Sequence, residues 1–181
     1  MQTKPPSDLI RRKYQEVFGA AFRPSFESWM HAGNGEGAAL GYCRAGAQPL
    51  YLEGYLDCPI EDMVSAALGR QVERNSIIEI GNLAADSAPG MVELWGQAAN
   101  DLGGNGEVAV ATLTAKVRRM FARIGLPVTV LAPARPERLG TGAAQWGSYY
   151  ESDPMVCMGV IAEGQAALSA FLARRSRKAA A

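Results

Sequence analysis

Ile77-Ile78-Glu79-Ile80-Gly81-Asn82-Leu83-Ala84-Ala85-Asp86-Ser87-Ala88-Pro89-Gly90-Met91 decides how the rest of the chain is read. The isoleucines give Asn75 to Leu83 the composition of a strand. A carboxylate within it, Glu79, is uncommon because burying an unpaired charge is costly. Gly81 in a strand interior signals a bulge, or the close approach of another backbone or a ligand. The strand opens through small residues, Ala84 to Gly90, onto a helix predicted from Met91 to about Asp101. Free N–H groups and the helix dipole suit such a terminus to phosphate. The alternative is plainer: Glu79 faces outward on an edge, and Ser87 only caps the helix. Neither a GxGxxG nor a Walker-type sequence is present, so the nucleotide-binding fingerprints are not met.

Downstream, Gly103-Gly104-Asn105-Gly106 breaks the helix, and Val108 to Leu113 reads as a buried strand. A helix follows from Thr114 to Ile124, ended by Gly125, then a strand from Val128 to Ala132. A Pro- and Gly-rich loop, Pro133 to Gly142, precedes a last strand at Val156 to Ala162 and a helix at Gln165 to Arg177. Alternation of strand and helix from Ile77 to Ala132 predicts parallel pairing through right-handed crossovers.

Upstream, helical spacing of Leu9, Ile10, Tyr14, Val17, Phe18 and Ala21 predicts a helix from Ser7 to Phe22, stopped by Pro24. A short helical piece is expected at Phe26 to Met30, and a turn from His31 to Gly37. Ala39 to Arg44 and Pro49 to Leu56 read as a hairpin. Pro59 to Leu68 reads as a helix ended by Gly69. The fold class is therefore α/β (α+β). A mixed sheet, antiparallel on its N-terminal side and parallel at its centre, carries helices on both faces. One domain is expected over residues 1–181, with its core at about 7–162 and a C-terminal helix at 165–177.

Composition removes several functions. Eighteen basic residues balance 18 acidic ones, which leaves no electrostatic footprint for nucleic acid. The one basic cluster, Arg174 to Lys178, reads as a solvated helix end. The longest apolar stretches are strand-sized, far short of the ~20 residues a spanning helix needs. Met1 to Asp8 lacks the apolar core of a signal peptide. Three widely spaced cysteines, Cys43, Cys58 and Cys157, fit neither a disulfide framework nor a zinc knuckle and read as buried free thiols in a reducing cytoplasm. His31, the lone histidine, cannot assemble a multi-histidine metal site and is expected in a loop.

The segment from Ile77 to Trp95 resembles the core of the GCN5-related N-acetyltransferase fold, and more closely its acyl-homoserine-lactone synthase branch. That branch carries Trp-Glu-x-Ser-Arg-Phe on the matching strand; here only the glutamate of Ile78-Glu79-Ile80-Gly81-Asn82-Leu83 is kept. Closer still is a resemblance to the bacterial thermostable hemolysin family. It is carried by Phe18-Gly19-Ala20, Tyr51-Leu52-Glu53-Gly54-Tyr55-Leu56-Asp57-Cys58-Pro59-Ile60-Glu61, Ile78 to Ala84, Arg123-Ile124-Gly125-Leu126-Pro127, and Trp146-Gly147-Ser148-Tyr149-Tyr150-Glu151 with Asp153-Pro154.

The resemblance implies an acyltransferase. A donor's pantetheine arm would lie in a V between two splayed strands, Ile77 to Leu83 and Val108 to Leu113. Gly81, Leu83, Ala84, Ala85, Ser87 and Gly90 would meet the donor, with phosphate on the amides of Ala84 to Gly90. The acetyl-coenzyme A loop signature is missing, so acyl-carrier protein stands beside acyl-coenzyme A as donor, with no metal. Phe121 occupies the place of the family's proton-donating tyrosine and cannot donate. The acceptor would be a small amine. Glu79, flanked by Ile78 and Ile80, should have a raised pKa suited to a general base, and Asn82 would orient the acceptor. Backbone N–H groups around Gly81 could polarise the thioester carbonyl. Glu53 and Asp57, with Tyr51 and Tyr55, form either an amine-binding face or an exposed polar one. Trp146, Tyr149 and Tyr150 wall either the pocket or the core. Two other readings stand beside this one: a non-catalytic binder of acyl ligands or carrier protein, and a membrane-active hemolysin.

Overall fold

The computed structural model describes residues 6–33 and 37–179; the expectations for residues 1–5 and 34–36 lie outside these. Helix α1, Pro6–Phe18, buries Leu9, Ile10 and Tyr14. It ends four residues earlier than its periodicity predicts, because Gly19 adopts φ 64° and turns the chain out of the helix. Phe22 then folds back to stack on Trp146, ring centroids 4.3 Å apart. The apolar period beyond Phe18 was that of a packed extended segment.

The piece expected to be helical at Phe26 to Met30 leads instead into strand β1, Ser28–Ala32, which places His31 on an exposed strand position and not in a loop. β1 pairs antiparallel with β2, Ala38–Arg44. The hairpin thus lies one element earlier than predicted. Pro49 to Leu56 is no strand: Tyr51–Tyr55 is a 3-10 turn. Carboxylates take the backbone donors a strand would have given to a neighbour, as detailed below. Helix α2, Ile60–Leu68, ends at Gly69 in the left-handed conformation, as expected.

Strand β3, Ile77–Ala85, and β4, Val108–Leu113, run parallel at the centre of one six-stranded sheet ordered β1-β2-β3-β4-β6-β5. Helix α3, Ala88–Gly103, joins them, and α4, Ala115–Ile124, follows β4 with Thr114 as cap and Gly125 left-handed at its end. The edge strand β5, Thr129–Pro133, does not extend the parallel run. It pairs antiparallel with β6, Met155–Val160, which inserts beside β4. Between β5 and β6 the Pro- and Gly-rich stretch forms 3-10 turns, Pro136–Ser152, broken at Gly140 and Gly147. Helix α5 is Ile161–Ala179.

Helices cover both faces. Val92, Trp95 and Ala98 of α3, Phe121 of α4 and Leu168 of α5 pack on Ile78, Ile80, Ala111 and Cys157. Ile60 and Val64 of α2 pack opposite, on Ile77, Val108 and Val110, while α1 packs over Ala39 and Ala84. Of the three thiols only Cys157 is buried; Cys43 is half-buried and Cys58 exposed.

The bulge expected at Gly81 is present. Gly41 pairs Gly81 and Ala39 pairs Ala84, so β3 spends one more residue than β2, and Asn82 takes φ 52°. The bulge inverts the side-chain alternation: Ala84 shares the face of Ile77 and Glu79, where an unbroken strand would have sent it to the other. Phe26 lies over the paired glycines, and a Cβ at Gly41 or Gly81 would come within 2.7 or 2.6 Å of its ring.

Candidate functional site

β3 and β4 pair from Ile77 opposite Val108 to Ile80 opposite Ala111. Past the bulge β3 follows β2 to Ala85, while β4 stays with β6 to Leu113 opposite Met155. The two central strands therefore separate. A groove of about 710 Å³ opens between them, floored by Leu83 to Ala85 and Thr112, with α1 on one side and α4 on the other. Its charge is mostly positive: Lys13, Lys116, Arg119 and Arg123 line it against a single carboxylate, Asp86. Lys13 (2.8 Å) and Arg12 (3.1 Å) neutralise Asp86 and hold its carboxyl below the usual range. Lys116, Arg119 and Arg123 make no ion pair among the described residues, so the α4 wall keeps its charge.

The loop expected at Ala84 to Gly90 is shorter than its composition suggested. Ala84 and Ala85 still pair with β2, and Leu83, Ala84, Ala85 and Ser87 line the groove. Gly90 does not line it; its N–H donates to Ser87 Oγ, 3.2 Å away, in the helix cap. Asp86 N–H donates to Gly37 O (2.8 Å), and Pro89 has no N–H. The amide cradle expected for phosphate thus loses Asp86, Pro89 and Gly90, and α4 adds charge beside what remains. Sequence reading missed those cations, although Lys116, Arg119 and Arg123 recur at one-face helical spacing.

Glu79 is 3% exposed and lies outside the groove. Its Oε2 accepts Tyr51 N–H at 2.9 Å and its Oε1 accepts Leu52 N–H at 3.0 Å. Burial pushes its carboxyl up to about 7 against the pull of those donors. It faces a cavity of about 270 Å³ shared with Glu27, Cys43 and Tyr51. Burial, then Glu79 and Glu27, push the Cys43 thiol up to about 12. Gly81 and Asn82 form the bulge two and three residues beyond, Gly81 under Phe26 and Asn82 buried.

Glu53 is engaged within the fold. Arg74 grips both its oxygens at 2.8 Å, and Leu50 N–H (2.7 Å) and Ile60 N–H (2.9 Å) donate to it. The Arg74 guanidinium holds its carboxyl down to about 2. Asp57 pairs with Arg138 at the surface. Among the aromatic residues Tyr55, Trp146 and Tyr149 are buried, Tyr150 is half-buried and Tyr51 exposed. Trp146 Nε1 donates to Tyr51 Oη (2.9 Å), Tyr55 and Tyr150 share a hydroxyl contact of 2.8 Å, and Tyr149 Oη donates to Thr112 O (3.4 Å). Of Glu53, Tyr55, Trp146 and Tyr149, only Tyr149 lines the groove.

Behind the groove, a hollow of about 80 Å³ between the sheet and α3, α4 and α5 is lined almost wholly by carbon. Phe121 projects into this hollow, edge-on to Trp95 at 4.8 Å, and does not line the groove.

The family model of the thermostable hemolysins matches residues 2–165. The chain belongs to that family. No curated protein matches it. Among solved structures, the family member resembles FeeM, an N-acyl amino acid synthase from uncultured soil microbes, at TM-score 0.58 and 15% identity over 89% of this chain and 91% of that one. TofI in a ternary complex with an inhibitor and MTA gives 0.54 and 16% over 91% and 86%. MesI, a CoA-dependent acyl-homoserine lactone synthase, gives 0.50 and 12% over 90% and 85%. At these identities the likeness is one of fold. Among the described residues no helix is long and apolar enough to cross a membrane.

Proposed function

We propose that this thermostable hemolysin family member is an acyltransferase that moves an acyl group from a pantetheine thioester, on coenzyme A or an acyl-carrier protein, to a small amine. The observation that carries the reading is the separation of β3 and β4 after Ala111, into a groove whose α4 wall bears Lys116, Arg119 and Arg123. A pantetheine arm fits between separated strand edges, whose unpaired amides and carbonyls match its own. The cations suit the phosphate at its end. The acyl chain enters the apolar hollow behind.

In the reaction a C–N bond forms and the C–S bond breaks. The amine loses a proton to a base, and the thiolate leaves and is protonated from water, because Phe121 offers no proton. Glu79 is the base in this reading, directly or through one water, and its carboxyl near 7 suits the task. Amides at the Asn82 bulge would polarise the thioester carbonyl, and the Asn82 side chain would orient the amine. Glu53 has no part in acceptor binding here, since Arg74 already occupies it.

The test is thiol release from acyl-coenzyme A and acyl-carrier protein donors with a panel of small amines. Amine-dependent release that falls 10²-fold or more in Glu79→Gln supports the reading. Absence of release with every donor and amine refutes it. Binding without release would favour a non-catalytic acyl binder, a second reading supported by the two amides that already engage Glu79.

A further inference from the structure

Trp95 is 7% exposed, and its indole Nε1 is a buried side-chain polar atom with no hydrogen-bond partner among the described residues. A buried indole N–H normally finds an acceptor, and leaving it unpaired is destabilising. The ring is held on α3 against Phe121 and borders the apolar hollow, together with Ile80, Ala111 and Leu168. The one other polar side chain in that lining, Cys157, directs its thiol to Met155 O (3.5 Å). The hollow adjoins the groove. Leu113 and Phe121 face the hollow, while their chain neighbours Thr112, Thr114 and Met120 face the groove. A chain leaving a thioester at the strand separation has this space next to it.

We propose that Trp95 determines specificity by donating its indole N–H to an oxygen on the acyl chain, so that the enzyme selects hydroxy- or keto-acyl donors over unsubstituted ones. This rests on the acyl-transfer reading above. A hollow lined only by carbon would reject an oxygenated chain, because its oxygen sheds water and gains nothing. A single fixed donor reverses that preference. An unsubstituted chain fills the same space and leaves the N–H unpaired. One hydrogen bond of ordinary net strength corresponds to a preference of about fivefold to tenfold.

Decanoyl-pantetheine and its 3-oxo, 3-hydroxy, 6-hydroxy and 10-hydroxy counterparts would be titrated calorimetrically into the full chain and into Trp95→Phe. Thiol release with the amine panel is followed in parallel. Wild type should bind at least one oxygenated chain about fivefold to tenfold more tightly than decanoyl, and the oxygen position preferred reads the depth of Trp95. Trp95→Phe should bind decanoyl at least as well as wild type and lose the preference. Should that variant not fold, the Trp95 indole ¹⁵N–¹H resonance of wild type gives the same answer. It should move downfield with the preferred oxygenated chain and not with decanoyl. Equal binding of all chains, a preference that survives Trp95→Phe, or an indole resonance that responds alike to both overturns the inference. Thiol release in that case leaves the acyltransferase standing, whereas a chain that binds no acyl-pantetheine loses both proposals.

Discussion

Replacing Glu79 by glutamine tests whether a buried carboxylate titrates near neutrality, independently of any substrate. In the folded protein the carboxyl titrates at about 7, against an ordinary value of 4.5, because burial outweighs the Tyr51 and Leu52 amides. Protonation is therefore easier folded than unfolded, and the contribution to stability is fully present below pH 4.5. It is lost as pH rises through about 7. At 1.36 kcal/mol per pH unit, the shift corresponds to about 3 kcal/mol across that window. Glu53 and Asp86 act in the opposite sense, and their contributions fall away only below pH 4.5 as their depressed carboxyls protonate. The interval from pH 5 to 8 thus isolates Glu79.

Urea unfolding of wild type at half-unit steps from pH 5 to 8 should show stability declining by about 2–3 kcal/mol. Glu79→Gln cannot ionise and should lack that slope. Its amide oxygen can accept only one of the two N–H groups, so the variant starts about 1–2 kcal/mol less stable at pH 5 and draws level or better by pH 8. A variant whose stability falls with pH as steeply as wild type would refute the titration, and with it the argument for Glu79 as a base. If the carboxylate is the base, kcat/KM in wild type should rise with pH and level off above about 7.

Three further outcomes follow from the geometry. Gly147→Ala sets a Cβ 2.0 Å from Phe18 O at a residue with φ 55°, and should lower stability by more than about 3 kcal/mol in thermal melts. Arg119→Glu with Arg123→Glu should raise KM for a coenzyme A donor by at least about tenfold, with an effect that shrinks in salt, while stability changes by less than about 0.5 kcal/mol. Arg74→Met strips the partner from Glu53 and Glu61 and should cost about 2 kcal/mol by urea unfolding; an unchanged midpoint would mean the pair is solvated.

The parts of the fold legible in the sequence are those whose stop signals are local. Gly69 and Gly125 end α2 and α4 because both take left-handed conformations that only the local chain must satisfy. Gly81 marked the bulge, since a glycine inside an isoleucine-rich strand has few other uses. The misread parts are those where a distant partner decides. Tyr51–Tyr55 has the composition of a strand, but Glu79 and Glu53 capture the Tyr51, Leu52 and Leu50 amides, and only a folded chain brings Glu79 to them. β5 lies at the sheet edge because β6, 22 residues after Pro133, takes the place beside β4. At the site, an acid within an apolar strand was readable. The cations of α4 were present as a pattern, and the unpaired Trp95 indole had no sequence signal, since a missing acceptor is a property of the packed interior.

The hydrogen bonds that suggest a structural role for Glu79 are compatible with the catalytic one. A carboxyl this deeply buried without donors would be driven far above neutrality and would stay protonated, unable to accept a proton. The Tyr51 and Leu52 amides lower it enough for a substantial fraction to be ionised at neutral pH. Each amide uses one lone pair of its oxygen, which leaves the others free to accept. The donors come from the 3-10 turn whose Tyr51 ring packs on Trp146, itself against Tyr149 at the groove wall. In the proposed transfer, packing from the groove to Glu79 would hold the base in place beside the β3 bulge. A base held by two backbone amides cannot swing away to solvent, and fixed geometry of this kind is what an acyl transfer gains from the fold.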